Sequence, residues 1–185
     1  MISLQYSRIR SESEELSDNL VAHSVVSALC PKDGGRTLFR VDCDGIGPFL
    51  LVQSPTIPQP VIPGVALETK PVQIALSKRR YSFKVRANPT KNDEAGKRIG
   101  IVEKDEREAW LRKVFYGNGM EVEEVSSLSE GVRKLERNGR SISVYSCMFF
   151  GTVSVNDPVM AEGLLANGVG KCKAFGFGLI SLRKA

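Results

Sequence analysis

Histidine is almost absent from this chain: 185 residues contain one, His23. Cysteine is scarce too, and Cys30, Cys43, Cys147 and Cys172 are scattered with no C-x-x-C pair. A structural zinc site needs four closely spaced nitrogen or sulfur ligands, and no such set is offered. A disulfide framework is not expected in a chain of this size and class. No metal and no cofactor are therefore expected. Any catalysis has to run on one imidazole, carboxylates, lysines, tyrosines or hydroxyls. Long apolar runs are also missing, which excludes a membrane-spanning helix of about 18 residues or more. Met1–Arg10 alternates polar and apolar residues and has no apolar signal-peptide core, so a cytoplasmic location is expected. Against these absences, 42% hydrophobic and 25% charged residues are ordinary for a globular protein and exclude wholesale disorder.

The formal charge of +5 is modest, but it is unevenly spread. Residues 1–78 carry 7 basic and 8 acidic side chains, whereas residues 79–185 carry 19 and 13. A basic half suits a polyanion such as nucleic acid, although solubility alone is the plainer reading of so small an excess.

Patterning gives the element order. Residues 2–9 read as a strand and 12–29 as a helix, with Ser11 and Glu14 at capping-box spacing and Pro31 and Gly34-Gly35 as the stop. Residues 36–43 and 48–53 read as strands joined by an Asp44-Gly45 turn. The proline-rich stretch 55–63 reads as an irregular connection, and 71–77 as a strand. Beyond it, 80–87 reads as a strand, 88–98 as a flexible polar loop, and 103–115 as a helix with an apolar stripe of Trp110, Leu111, Val114 and Phe115. Strands at 120–126 and 141–155 flank a basic segment, Arg133–Arg140. Residues 158–167 read as a helix capped by Asp157, with Pro158 at its first position and Gly168 just past its end. Residues 174–183 read as a last strand. The fold class expected is α+β, with two tandem ferredoxin-like βαββαβ domains at 1–78 and 79–185. The aromatic-rich strand motif of sheet-face RNA recognition is not found, and Phe83, Phe149 and Phe150 read as core.

Three features could carry chemistry. On a helical wheel His23 points away from the main apolar stripe of Val21, Ala22, Val25, Ala28 and Leu29, with Ser27 one turn on. A lone histidine is more often structural, but its near-neutral pKa suits proton transfer. The segment Gly168–Gly178 does not fit a phosphate loop, because Leu165 and Cys172 stand where Gly and Ser/Thr are required. Its glycines either let the backbone approach a phosphodiester, with Lys171 and Lys173 adding charge, or serve as a helix cap and a kinked strand. The third feature is a set of basic side chains: Lys84 and Arg86 on one strand face, Lys91, Lys97 and Arg98 in the polar loop, and Arg133, Lys134, Arg137 and Arg140 in the basic segment. Each alone reads as solvated surface; clustered, they suit phosphate contacts.

Several motifs together resemble one family. They are Tyr81–Lys91 with its R-A-N-P-T-K run, Ala109-Trp110-Leu111, Phe150-Gly151 through Asn156-Asp157, Gln53-Ser54, and the glycine-rich Gly168–Leu179. The sequence is similar to the CRISPR-associated CasE-type endoribonucleases of type I-E systems. That resemblance implies two ferredoxin-like domains and metal-independent cleavage of a CRISPR repeat RNA at the base of its stem-loop. The ribose 2′-hydroxyl attacks and a 2′,3′-cyclic phosphate remains. The expected partners are the repeat RNA hairpin, as precursor and as mature guide, and the other subunits of the Cascade surveillance complex. The family's catalytic histidine falls on His23. Its tyrosine three residues earlier is Leu20 here, and Cys30-Pro31 stands where Phe-Pro is common. Tyr6, Ser27, Lys171 and Lys173 are the candidates to support His23. Gly168, Gly170, Lys171 and Lys173 join the nine basic residues above as expected RNA contacts. A non-catalytic RNA-binding subunit is the alternative that Leu20 supports.

Overall fold

The computed structural model describes residues 2–11, 14–30, 35–59, 63–137 and 140–185. Ten strands, β1 to β10, and three α-helices, α1 to α3, alternate along them. The first unit is β1 (Ile2–Ser11), α1 (Asn19–Leu29), β2 (Leu38–Asp44), β3 (Gly47–Ser54) and β4 (Val65–Ile74). Its antiparallel sheet has the order β2-β3-β1-β4. The second unit is β5 (Arg80–Ala87), α2 (Lys104–Tyr116), β8 (Met120–Arg137), β9 (Arg140–Val155), α3 (Pro158–Asn167) and β10 (Ile180–Lys184). Its order, β10-β5-β9-β8, repeats the first: in each sheet the fourth strand lies beside the first, and the third lies between the first and the second. This is the ferredoxin-like strand order, twice, although among the described residues the first unit has no helix between β3 and β4; the α+β class read from the sequence holds. A small hairpin, β6 (Thr90–Asn92) with β7 (Arg98–Gly100), stands apart from both sheets. Among the described residues, no helix is long and apolar enough to cross a membrane.

Several boundaries differ from the sequence reading, each for a local reason. The first α-helix starts at Asn19, because Asp18 caps it by accepting from the amides of Leu20 (2.7 Å) and Val21 (3.1 Å). A 3-10 turn, Glu14–Ser17, fills the space before it. The stop signals Pro31 and Gly34 lie outside the described residues. Strand β4 runs N-terminal of the expected 71–77 and pairs with β1 over its whole length. Pro71 is tolerated there because β4 is an edge strand. The expected loop 88–98 folds instead into the β6–β7 hairpin, whose turn is held by Asp93 accepting from the amides of Ala95 (3.0 Å) and Lys97 (2.8 Å). Residues 174–179 are not strand: a 3-10 turn (Lys173–Phe175) and left-handed residues at 176 and 178 intervene, so β10 begins only at Ile180. By contrast α3 matches its sequence signals, with Asp157 accepting from the amides of Val159 and Met160 and Gly168 at φ 69° closing it.

Among the described residues, three clusters of buried side chains hold the molecule together. One fills the second unit and takes in Leu4 and Ile74 from the first. One lies between α1 and the first sheet. A small third cluster joins Leu135 and Val144 of the β8–β9 hairpin to Phe175 and Phe177, with Leu20 of α1 packed against it. Phe83 and Phe149 are core as expected, but Phe150 is not: it faces the opposite side of β9 and is 47% exposed.

Polar contacts seal the two units. Arg40 on β2 is 2% exposed; it pairs with Asp42 (2.8 Å) and reaches into the second unit. There its Nη1 donates to the carbonyls of Lys84 (3.2 Å) and Leu179 (3.1 Å), and its Nη2 to Ser181 Oγ (3.0 Å). Gln53 at the end of β3 donates to the Leu165 carbonyl at the C-terminal end of α3 (2.9 Å).

Candidate functional site

His23 sits in the middle of α1, one turn beyond Asn19, at the junction of the two units. It is half-buried and its ring lies 5.6 Å from that of Phe175, tilted by 51°. Beside it opens a cleft of about 200 Å³ lined by Val26, Ser27, Cys30, Thr37, Phe39 and Ala174 as well as His23. Ser27 is exposed at this cleft, as its spacing from His23 implies. The Cys30 thiol is pushed up to about 11 by burial, against a smaller lowering by Ser54, so it stays protonated near neutrality.

The glycine-rich segment forms the opposite wall. Gly168, Gly170, Cys172, Gly176 and Gly178 all have positive φ. The turns fold the segment back so that Val169 N–H donates to the Gly178 carbonyl (2.9 Å) and Gly178 N–H to the Arg86 carbonyl (2.7 Å). A Cβ at Gly178 would stand 2.4 Å from the Val169 carbonyl oxygen. Gly168 is filled in by Leu38 and the Gly178 carbonyl, and Gly170 faces the Trp110 ring. Chain packing and positive φ therefore require glycine at these positions, as the cap-and-kink reading above expects. The buried Asn88 of the R-A-N-P-T-K run donates to Cys172 Sγ at 3.5 Å and braces this wall from β5's end.

The lysines of the segment are placed as a charged rim. Lys171 is exposed. Lys173 is half-buried and donates to the Asn167 carbonyl at 2.8 Å. Burial, then the charges of Arg36 and Lys171, pull the Lys173 ammonium below its usual pKa. Arg36 lies between Gly35 and Thr37, both of which line the cleft. It was missed in the sequence because nothing local marks it; only the fold brings it to Lys171 and Lys173.

The remaining expected residues divide. Tyr6 does not reach this site: it lines a separate cleft, and its hydroxyl donates to Gln53 Oε1 at 2.6 Å. Burial raises its pKa to about 12, outweighing Arg40 nearby. Arg86 is likewise turned inward, bonded to both Glu130 oxygens (2.8 and 2.9 Å) and to the Val41 carbonyl (2.6 Å). Lys84 binds Asp42 at 3.0 Å. Both tie β2 to the second sheet, a role the sequence reading did not assign them. Lys91 pairs with Glu106, while Lys97 and Arg98 stand exposed on the β6–β7 hairpin. Lys134 is exposed on the long β8–β9 hairpin, and Arg133 donates to Asn19 Oδ1 at 3.2 Å. The side chains of Arg137 and Arg140 lie outside the described residues. Among the described residues, no three His, Cys, Asp or Glu side chains are grouped as metal ligands would be.

Fold and site together define a tandem ferredoxin-like protein with a single imidazole at the junction of its units, facing a cationic glycine-rich wall. The whole chain, residues 2–184, matches the family model described as CRISPR associated protein. It is 30% identical over 149 residues to the CRISPR system Cascade subunit CasE of Escherichia coli K12, covering 74% of each chain. It superposes on Thermus thermophilus Cse3 bound to an RNA representing a pre-cleavage complex, with TM-score 0.86 and 28% identity over 98% of this chain and 100% of that one. Escherichia coli Cas6e gives TM-score 0.80 and 27% identity, with coverage of 98% and 100%. The chain belongs to this CRISPR-associated family and is of its CasE type.

Proposed function

We propose that the protein is an endoribonuclease that cuts CRISPR repeat RNA at the base of its stem-loop, without a metal, and stays with the product within Cascade in the cytoplasm. The observation that carries this is the cleft itself: His23 set against Phe175, with Ser27 beside it, Arg36 and Lys173 adjoining the lining residues Gly35, Thr37 and Ala174, and Lys171 close to Lys173. Relatives named as an endoribonuclease and as a Cascade subunit support the substrate and the partners.

In this reading residues 1–78 supply the general base, and 79–185 supply the general acid and most of the RNA grip. Neutral His23 takes the 2′-hydroxyl proton as the O2′–P bond forms. The P–O5′ bond breaks, and the 5′-oxygen takes a proton from a second group. In this reading Lys173 gives it, its lowered pKa making it a better acid. Lys171 and Arg36 offset the charge that develops on the phosphoryl oxygens. Gly168 and Gly170 serve by shaping the wall, while Lys97, Arg98, Arg133 and Lys134 track the RNA backbone. His23→Ala should slow cleavage by about 10²-fold or more while RNA binding persists. A 2′-deoxy nucleotide at the cut should block cleavage, and EDTA should not. Cleavage of the deoxy substrate would refute the cyclisation, and full activity of His23→Ala would remove His23 from the site.

One observation favours a second reading. Leu20 is packed into the third cluster, so no hydroxyl stands one turn before His23. A binding subunit without turnover would then hold the hairpin uncut. Incubation of the purified protein with its repeat RNA separates the two.

A further inference from the structure

Asn19 is 5% exposed, and both ends of its carboxamide are used by segments remote in sequence. Its Nδ2 donates to the Phe175 carbonyl at 2.7 Å, in the glycine-rich wall. Its Oδ1 accepts from Arg133 Nη1 at 3.2 Å, on the β8–β9 hairpin. One turn along the same helix, His23 lies on the Phe175 ring. Leu20, the next residue, packs with Phe175, Phe177, Leu135 and Val144 from the same two segments. A carboxamide donates from one atom and accepts at another without carrying charge. Buried, it is held in one orientation, because either bond lost leaves an unsatisfied polar group.

We propose that Asn19 is a positioning residue that sets His23 against Phe175 and couples that geometry to the β8–β9 hairpin through Arg133. The hairpin's grip on RNA then bears directly on the imidazole. Arg133 is two-sided in this scheme: 35% of its side chain is exposed to a ligand, while one guanidinium nitrogen holds Asn19. Its Nη2 lies 3.8 Å from Glu130, which fixes the guanidinium from the other side. Asn19 touches neither the reacting atoms nor the solvent side of the cleft and acts only through its neighbours.

The effect on rate rests on the nuclease reading above; the effect on geometry does not. Because the chain has a single histidine, its imidazole C–H signals identify themselves in a proton–carbon NMR spectrum. They sense the Phe175 ring directly. Asn19→Asp is nearly isosteric and can still accept from Arg133, but it opposes an oxygen to the Phe175 carbonyl. Asn19→Ala loses both bonds. Both variants should shift the His23 signals at fixed pH in the RNA-free protein. With saturating repeat RNA, the single-turnover cleavage rate should drop by about 10-fold or more while the dissociation constant stays within about 3-fold. Asn19→Asp serves alone if Asn19→Ala does not fold. Unmoved His23 signals in a folded variant overturn the proposal, as does undiminished cleavage at saturation. If the unsubstituted protein cuts no RNA, the nuclease reading fails, and the His23 signals still decide the role of Asn19.

Discussion

At Leu20 the chain has an aliphatic side chain where its resemblance implies a tyrosine, and the structure gives that side chain a different task. It packs against the cluster of Phe175, Phe177, Leu135 and Val144, and so holds α1 to the two segments that face His23. Leu20→Ala should cost about 2–3 kcal/mol, read as a lowered midpoint in urea unfolding, with the m-value unchanged. The acidic residues at the unit interface add a pH dependence. Burial pushes the Asp42 carboxyl up, but hydrogen bonds and charge from Arg40 and Lys84 outweigh it and hold the group below its ordinary value. Glu130 behaves likewise, with burial overcome by Arg86, Ser146 and Arg133. A carboxylate depressed in the folded state adds stability that is complete above its unfolded pKa, near 4, and is lost as pH falls through the folded value. Urea midpoints should therefore be flat from neutrality to about pH 5 and decline below about pH 4. Replacement by Asp42→Asn with Glu130→Gln should lower stability at neutral pH and flatten the acid limb. Around the cleft, His23, Ser27, Lys171 and Lys173 could be picked out in the sequence, His23 because it is the sole imidazole. The place of Phe175 against His23 and of Arg36 near Lys173, and the buried fate of Arg86, depend on which segments come together, and no local spacing records that.

Elements were legible where the signal is local. Asp157, Pro158 and Gly168 bound α3 because capping needs only the residues that cap. Strand β5 was equally plain, since Tyr81, Phe83 and Val85 alternate into the core. The segment 174–179 was misread as strand because its apolar residues serve two directions. Phe175 and Phe177 turn into the third cluster, whereas Leu179 and Ile180 are buried at the start of β10. Only the positive φ at Gly176 and Gly178 allows the change of direction. Gly178→Ala meets both a φ of +87° and the Val169 carbonyl oxygen. It should lower stability by about 2 kcal/mol or more, seen as a reduced thermal midpoint. The same variant should lose cleavage activity ahead of RNA binding, because the wall it distorts faces His23 while the outer lysines stay in place.

At the scale of the whole molecule, two similar sheets are fastened by side chains that charge counting assigned to a ligand. The seam centres on Arg40, whose removal leaves Asp42 buried with one cation, Lys84, still bonded to it. Arg40→Leu should destabilise the protein by about 3–5 kcal/mol in urea unfolding, more than an exposed arginine could. RNA binding should be salt-dependent in proportion to the phosphates touched. Replacing Lys171 or Lys134 by Ala should each reduce the log–log salt slope by about one unit, whereas Lys84→Ala should leave it unchanged. The Arg40 seam also has a consequence for synthesis. The guanidinium belongs to the second strand made, yet its acceptor on Leu179 lies 139 residues further along the chain. On the ribosome the first sheet can pair its strands while Arg40 is still hydrated. The seam and the wall opposite His23 arrive together, well after the first sheet is made. A chain interrupted before that point carries the histidine but neither Phe175 nor the lysines beside it, so a half-made copy has no assembled cleft to turn on cellular RNA.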